Sequence, residues 1–466
     1  MIDDTHRPEL RSWVESADGH ANFPVQNLPL GIFRRRDGGE AWRAGVAIGD
    51  DILDLAASAR SRLLGDAVGV EGWYASPSLN ALMAGDRAHW KALRRQVSLL
   101  LRADSPEAEG ARRLRSEVIV PQSAAELALP ATIGDYTDFY ASLDHATNVG
   151  RMFRPDHPLL PNYKWVPIGY HGRSSSIVVS GTAVRRPVGQ SSGDGQGPPT
   201  FGPSIRLDYE AEAGLLIGGG NPLGEPVPVV RANDLIFGIC LLNDWSARDI
   251  QAWEYQPLGP FLSKNFATSL SPWVVTLDAL APFRVPAAAR GEGDPDPLPY
   301  LSAPEDHSSG GIDIRIEVLI RSRRMRDAGI AAVSLSRSSL AGMYWTPGQL
   351  VAHHTSNGCN LRPGDLLGSG TISGPTPDAR GCLLELTSRG TNPVQLPGGE
   401  ERRFLEDGDE VILRGWCERE GFTRIGFGDC SGIVLPANPA TRDDHELHHD
   451  RRRADSGRPL FPGRGA

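Results

Sequence analysis

Cysteine is scarce in this chain of 466 residues. The five present, Cys240, Cys359, Cys382, Cys417 and Cys430, are scattered and form no CxxC pair, which excludes a cysteine-built zinc site or dithiol redox centre and predicts reduced, mostly buried thiols. Basic charge is also short. Lys and Arg number 48 against 57 Asp and Glu, a net charge of −9, so there is no cationic field to condense onto phosphates or anionic lipid, and neither nucleic acid nor a membrane surface is an expected partner. No stretch approaches the ~18 uninterrupted apolar residues of a membrane span. The polar, acidic start from Met1 to Glu9 lacks the basic and apolar regions of a secretory leader, which predicts a cytoplasmic protein.

What is abundant is Gly (53) and Pro (37), which favours strands and turns over helix bundles, while 40% hydrophobic residues supply a core. The pattern divides the chain into four segments. Residues 1–22 are polar and poor in periodicity, and are expected to form a flexible N-terminus. In 23–122, the apolar runs Gly31-Ile32-Phe33 and Gly45-Val46-Ala47-Ile48 flank Asp37-Gly38-Gly39, which predicts a hairpin. Ser76-Pro77 offers a helix start, and Trp90, Leu93, Val97, Leu100 and Leu101 recur at helical spacing. From 123 to 436, short apolar runs broken by Gly, Pro and Asp predict a β-rich body. Thr346-Pro347-Gly348-Gln349 reads there as a helix-opening capping box, and 191–199 and 287–311 read as surface insertions. Residues 437–466 are too poor in apolar side chains to order themselves and read as a disordered tail.

Three motifs suggest chemistry without supporting it. His445-Glu446-Leu447-His448-His449 fits HExxH, but its charged flanks offer no apolar face to dock a zinc helix. The glycine-rich Gly368 to Gly374 lacks the lysine of a phosphate loop and reads as a tight turn at a site rim. His353-His354 are adjacent, so their side chains diverge on a helix and each is expected to be an ordinary hydrogen-bonded histidine.

Four carboxylates stand out by their surroundings. Glu210 and Glu212 alternate with alanines ahead of Leu215-Leu216-Ile217, and at strand period two both face one side, a costly pairing unless a cation or shared proton relieves it. A solvated strand face would carry the same pair. Asp244 ends the apolar run Ile239 to Asn243, and Asp138 lies within Tyr136-Thr137-Asp138-Phe139-Tyr140; a carboxylate in either setting needs a partner. Four oxygen donors without Cys or His suit a hard ion, Mg²⁺ or Ca²⁺. His145 is seven residues past Asp138, two turns away if the segment is helical. Arg248, Gln251, Tyr255 and Lys264 thread through Trp245, Trp253 and Phe261 like a pocket wall. Glu385 sits in Cys382-Leu383-Leu384-Glu385-Leu386, which reads as a core strand, where the acid requires a cation or a histidine.

At these residues the chain resembles the fumarylacetoacetase family, hydrolases of a carbon–carbon bond. The resemblance spans residues 20 to 436 and is carried by Ile133-Gly134-Asp135-Tyr136-Thr137-Asp138-Phe139-Tyr140, His145-Ala146-Thr147-Asn148-Val149-Gly150, Gly169-Tyr170-His171-Gly172-Arg173, Asn243-Asp244-Trp245-Ser246-Ala247-Arg248-Asp249-Ile250-Gln251, Pro257-Leu258-Gly259-Pro260-Phe261 and Asn357 to Leu367. It implies a mostly β, α+β fold: an N-terminal SH3-like barrel over 23–122 and a mixed β-roll catalytic domain over 123–436, paired in a homodimer. It implies hydrolysis of 4-fumarylacetoacetate to fumarate and acetoacetate, the last step of tyrosine and phenylalanine catabolism, assisted by a divalent cation. Position by position, Asp138, Glu210, Glu212 and Asp244 match metal ligands, with Lys264 and Thr268 completing that network. His145 matches the general base and Glu385 its orienting carboxylate; Arg248, Gln251 and Lys264 match groups that steady developing negative charge. Tyr140, Arg154, Tyr170, Gln251, Tyr255 and Thr371 match substrate contacts. A second reading keeps the site and changes the diketo acid, for instance to an acylpyruvate. A third, a metal-binding structural protein without activity, would show substitutions at His145, Glu385 or Lys264, and none is present.

Overall fold

The computed structural model describes residues 1–438 except 37, 66, 67, 69 and 194–196. The tail predicted over 437–466 lies outside the described residues from 439 onward, with its His445–His449 motif, as does Asp37 of the predicted turn. The described chain mixes α and β and is mostly β.

The N-terminal unit is a five-stranded antiparallel sheet in the order Ile119–Pro121, Asp51–Asp54, Arg43–Ile48, Leu30–Arg35, Ala125–Ala128. Its central pair is the predicted hairpin, with Leu30 opposite Val46. The last strand shows that this sheet continues beyond residue 122, where the sequence reading placed the boundary. The predicted helix runs Arg87–Leu101 and buries Trp90, Leu93, Val97, Leu100 and Leu101. It starts at Asp86, whose side chain accepts the His89 N–H, rather than at Ser76-Pro77; a carboxylate is a strong N-cap and adds favourable charge at the positive end of the helix.

Residues 1–22 depart from the expected flexible terminus. Leu10, Val14 and Ala17 are buried against the first unit, His6 Nε2 lies 2.7 Å from the Asp278 carbonyl, and Arg94 reaches the Thr5 hydroxyl and the Gln26 and Asn27 carbonyls. The segment has few apolar residues, but they meet a surface already built by later parts of the chain.

The second unit is built on a mixed sheet whose main path runs Gly169–His171, Tyr136–Phe139, Leu366–Gly368, Ala211–Ile217, Ile236–Asp244, Thr268–Leu270, Ile177–Val179. A second sheet, of Val333–Ser339, Arg315–Arg321, Glu410–Cys417, Ile425–Leu435 and Val184–Arg185, packs nearby. On the central sheet, side chains alternate between faces. Ala213, Leu215, Ile217, Ile239 and Leu241 enter the main core, whereas Leu216, Cys240, Leu242, Leu270, Leu366 and Tyr136 join the N-terminal unit's core. That second face changes character at one end. Two or four residues further along the same strands, at the same parity, stand Glu212, Asp244, Thr268, Gly368 and Asp138. The apolar face ends where the acids begin.

Candidate active site

One carboxylate oxygen from each of Asp138, Glu210, Glu212 and Asp244 lies within 4.8 Å of the others, and all four side chains are buried. Strand register brings them together. The Leu366–Gly368 strand runs between those of Asp138 and Glu212, with Gly368 paired to both Asp138 and Gly214. Having no side chain, Gly368 lets the two acids meet above it: a Cβ there would lie 2.7 Å from Asp138 Oδ1 and 3.1 Å from Glu212 Oε2. Glu210 precedes its strand and is held by Asn243, whose Oδ1 accepts the Glu210 N–H at 3.1 Å, and by the Asp244 N–H, which donates to the Glu210 carbonyl at 3.2 Å.

Two cations enter this cluster. Lys264 Nζ donates to Glu210 and, at 2.7 Å, to Asp244. Arg248 Nη1 donates to Glu210 Oε1 at 2.6 Å and to Gln251 Oε1 at 3.1 Å. Thr268 Oγ1 and Tyr170 OH both donate to Asp244, at 3.0 and 3.1 Å. Although burial opposes ionisation of Glu210, Lys264 and Arg248 overcome it and hold this carboxyl well below the usual range. Asp138 and Glu212 go the other way. Burial, reinforced by Asp244, pushes Asp138 up to about 8, and burial with Asp138 as neighbour raises Glu212 well above its ordinary value. Among the described residues neither has an ion-pair partner, and Asp138 Oδ1 and Glu212 Oε1 accept no hydrogen bond. Excess buried negative charge, all-oxygen donors, two unpartnered carboxylate oxygens and a cradle that a Cβ would fill fit a hard divalent cation.

Beside the acids, Ser142 caps the Leu143–Phe153 helix, its hydroxyl accepting the His145 N–H at 3.2 Å. This places buried His145 in the first turn, with Nδ1 2.6 Å from Glu385 Oε2. Asn148, one turn on, donates to Glu385 Oε1 at 2.9 Å, and Ser373 Oγ donates to Oε2 at 2.8 Å. Burial alone would raise the Glu385 carboxyl, but His145 and these hydrogen bonds bring it down to about 2. A carboxylate accepting from Nδ1–H leaves Nε2 as the free acceptor nitrogen of the ring. Arg248 donates to both Glu210 and Asp208, and Asp208 accepts the N–H groups of Leu383 and Leu384 in the turn that carries Glu385, so imidazole pair and acid cluster share one site.

Two local expectations change. Asp138 and His145 are not on one helix: Asp138 is in the Tyr136–Phe139 strand and a bend separates it from the helix. Glu385 is in a single helical turn, Leu383–Leu386, rather than a core strand. The turn forms because buried Asp208 accepts the Leu383 and Leu384 N–H groups at 2.8 and 2.9 Å, which a strand could not present side by side.

The predicted substrate contacts fall in different places. The Tyr140 ring stands edge-on to His145, centroids 5.1 Å apart, and Thr371 is buried with no hydrogen-bond partner on its hydroxyl among the described residues. Gln251 lies beside Arg248, while Tyr255, at the end of the same Arg248–Glu254 helix, is 41% exposed. Tyr170 is tied to Asp244, and Arg154 is exposed at its helix end, donating to the Pro158 carbonyl at 3.2 Å. His353 and His354 diverge as expected, the first beside the Tyr300 hydroxyl and the second beside the Thr137 hydroxyl. Sequence reasoning missed Asp208, Asn148, Asn243 and Ser373. Only Asp208 carried a signal, as the first of three acids at period two, Asp208, Glu210 and Glu212; the others are ordinary polar residues until folded.

Comparison with known proteins finds two matching family profiles. That described as "Fumarylacetoacetate (FAA) hydrolase C-terminal" matches residues 135–432 and that described as "Fumarylacetoacetase N-terminal" matches residues 26–130. The chain is 49% identical to fumarylacetoacetase of Bos taurus over 420 residues, covering 90% of this chain and 97% of the relative. It is 49% identical to that of Homo sapiens over 419 residues, with the same coverage, and 47% identical to that of Oryza sativa subsp. japonica over 437 residues, covering 93% and 99%.

Proposed function

Because the chain belongs to the fumarylacetoacetate hydrolase family, we propose that it hydrolyses 4-fumarylacetoacetate to fumarate and acetoacetate, the closing step of tyrosine and phenylalanine catabolism. It is a hydrolase of a carbon–carbon bond in a β-diketone. The observation that carries this reading is the His145–Glu385 pair, 2.6 Å apart and buried beside the four-acid cluster.

Such a cleavage needs a base to make the nucleophile, donors for the oxyanion, and relief for the departing carbanion. His145 Nε2, its tautomer set by Glu385, takes a proton from water as the oxygen bonds to the carbonyl carbon. Arg248 holds the developing oxyanion; its Nη1 is committed to Glu210 and Gln251, but Nη2 has no partner among the described residues and remains available to donate. Lys264 and Gln251 add to the same stabilisation. As the carbon–carbon bond breaks, the electron pair leaves on acetoacetate as an enolate, and the proton held by His145 is available to quench it. Asp138, Glu210, Glu212 and Asp244 would hold Mg²⁺ or Ca²⁺, with Lys264 and Thr268 ordering the acids; when bound, the ion supplies positive charge against the enolate and oxyanion. Tyr140, Tyr170, Tyr255, Thr371 and Arg154 serve substrate binding, Arg154 by closing on a terminal carboxylate.

The finer architecture follows the same reading: the five-stranded meander is an SH3-like barrel, the catalytic unit a β-roll, and the working form a cytoplasmic homodimer. The test is the loss of fumarylacetoacetate absorbance in native, chelated and ion-restored protein, with an acylpyruvate as competing substrate. Turnover of fumarylacetoacetate that falls on chelation and returns with Mg²⁺ or Ca²⁺ is expected. Full turnover without the ion overturns the role of the acids, and preference for the acylpyruvate overturns the substrate. In His145→Ala, the rate falls by about 10²–10⁴-fold while the fold and ion binding persist.

A further inference from the structure

Asp208 is fully buried and lies outside the four-acid cluster, yet it uses both oxygens. Oδ1 accepts the Leu383 N–H at 2.8 Å and the Tyr209 N–H at 2.9 Å. Oδ2 accepts the Leu384 N–H at 2.9 Å and Arg248 Nε at 3.0 Å. Leu383 and Leu384 open the turn that carries Glu385, and the residue at its cap position, Cys382, makes no side-chain capping bond. A turn that cannot cap itself is therefore capped by a carboxylate remote in sequence. Through Arg248 Nε, the same carboxylate fixes the guanidinium whose Nη1 meets Glu210.

We infer that Asp208 is a positioning residue that sets two parts of the site against each other: the Glu385–His145 pair, through the Leu383–Leu386 turn, and the oxyanion-facing Arg248. This deepens the hydrolase reading and rests on it. Asp208 touches neither substrate nor the reacting atoms. It holds the base's orienting carboxylate and the anion-steadying guanidinium in one frame, and a single oxygen, Oδ2, serves both. Asn cannot substitute. If its oxygen stays with Leu383 and Tyr209, its NH₂ faces the Leu384 N–H and Arg248 Nε, donor against donor; if it flips, the conflict moves to the other pair.

The experiment is a double-mutant cycle on the ion-loaded enzyme: Asp208→Asn, Glu385→Gln and the pair, measuring kcat and KM for fumarylacetoacetate, with thermal midpoint and ion titration as checks on the fold. Asp208→Asn is expected to lower kcat by about 10–100-fold, as loss of an outer orienting partner does, with KM changed far less. In the Glu385→Gln background the same substitution is expected to cost clearly less than in the wild-type background, because one of the two groups through which it acts is already impaired and only the part exerted through Arg248 remains. Wild-type kcat in Asp208→Asn, or a full additive loss in the double variant, overturns the inference. If Asp208→Asn does not fold, Asp208→Glu, which keeps the charge and displaces the carboxylate by one methylene, enters the same cycle with the same criteria. Failure of the hydrolase reading looks different: the wild-type enzyme itself leaves fumarylacetoacetate uncleaved.

Discussion

Single side chains in this site differ in charge state because their neighbours differ. Both Glu385 and Asp138 are buried, which disfavours the carboxylate; His145, Asn148 and Ser373 overcome this and hold Glu385 down to about 2, whereas burial reinforced by Asp244 pushes Asp138 up to about 8. The Glu385 shift has a consequence for stability. A carboxyl lowered on folding contributes stability that is present above its unfolded value, near 4.5, and is lost as pH falls towards about 2. Thermal midpoints of wild type and Glu385→Gln, followed from pH 7 to pH 3, are therefore expected to converge as the solution is acidified. A gap that stays constant would show that Glu385 does not titrate as its contacts require.

At the level of elements, strand order does what no single residue can. The Leu366–Gly368 strand, parallel to Tyr136–Phe139 and antiparallel to Ala211–Ile217, separates two acids and then allows them to meet because its last residue is glycine. Gly368→Ala puts a methyl group 2.7 Å from Asp138 Oδ1, and one of the two must move. Calorimetric titration with Mg²⁺ or Ca²⁺ is expected to show affinity lowered by about tenfold or more, while the β-rich circular dichroism spectrum is retained. Unchanged affinity would mean that Asp138 does not coordinate. The Leu383–Leu386 turn shows the same dependence of an element on its surroundings: its apolar residues suit a strand, and the buried Asp208 carboxylate selects a helical turn.

For the whole molecule, the buried acids couple folding, ion binding and pH. The Asp138 carboxyl is raised on folding, so its contribution to stability is full below its unfolded value, near 3.8, and is lost as pH rises through about 8. Ion-free protein is expected to weaken over that window. An added divalent ion is expected to raise the thermal midpoint more at pH 8 than at pH 6, and to release protons that calorimetry in buffers of differing ionisation enthalpy detects. An ion effect independent of pH would contradict a cluster that holds protons in the absence of a divalent ion. The N-terminal segment is part of the same folding unit. Deleting residues 1–22 removes buried Leu10 and Val14, each worth about 1.5–3 kcal/mol, and the His6 contact to the Asp278 carbonyl. A clear fall in thermal midpoint is expected, and an unchanged one would restore the picture of a loose terminus.

The amino-acid sequence by itself determined which residues are chemically conspicuous: acids set among apolar or aromatic neighbours, a histidine and an apolar-flanked glutamate, the hairpin around 30–48 and the capped Pro347–Thr355 helix. These are legible because burial cost, periodicity and capping act over a few residues. Only the tertiary structure decided that Glu385 lies in a turn, that residues 1–22 are packed, and that Asp208, Asn148, Asn243 and Ser373 belong to the site. Each of these depends on a partner far along the chain, and a hydrogen bond between distant residues leaves no local pattern from which to read it.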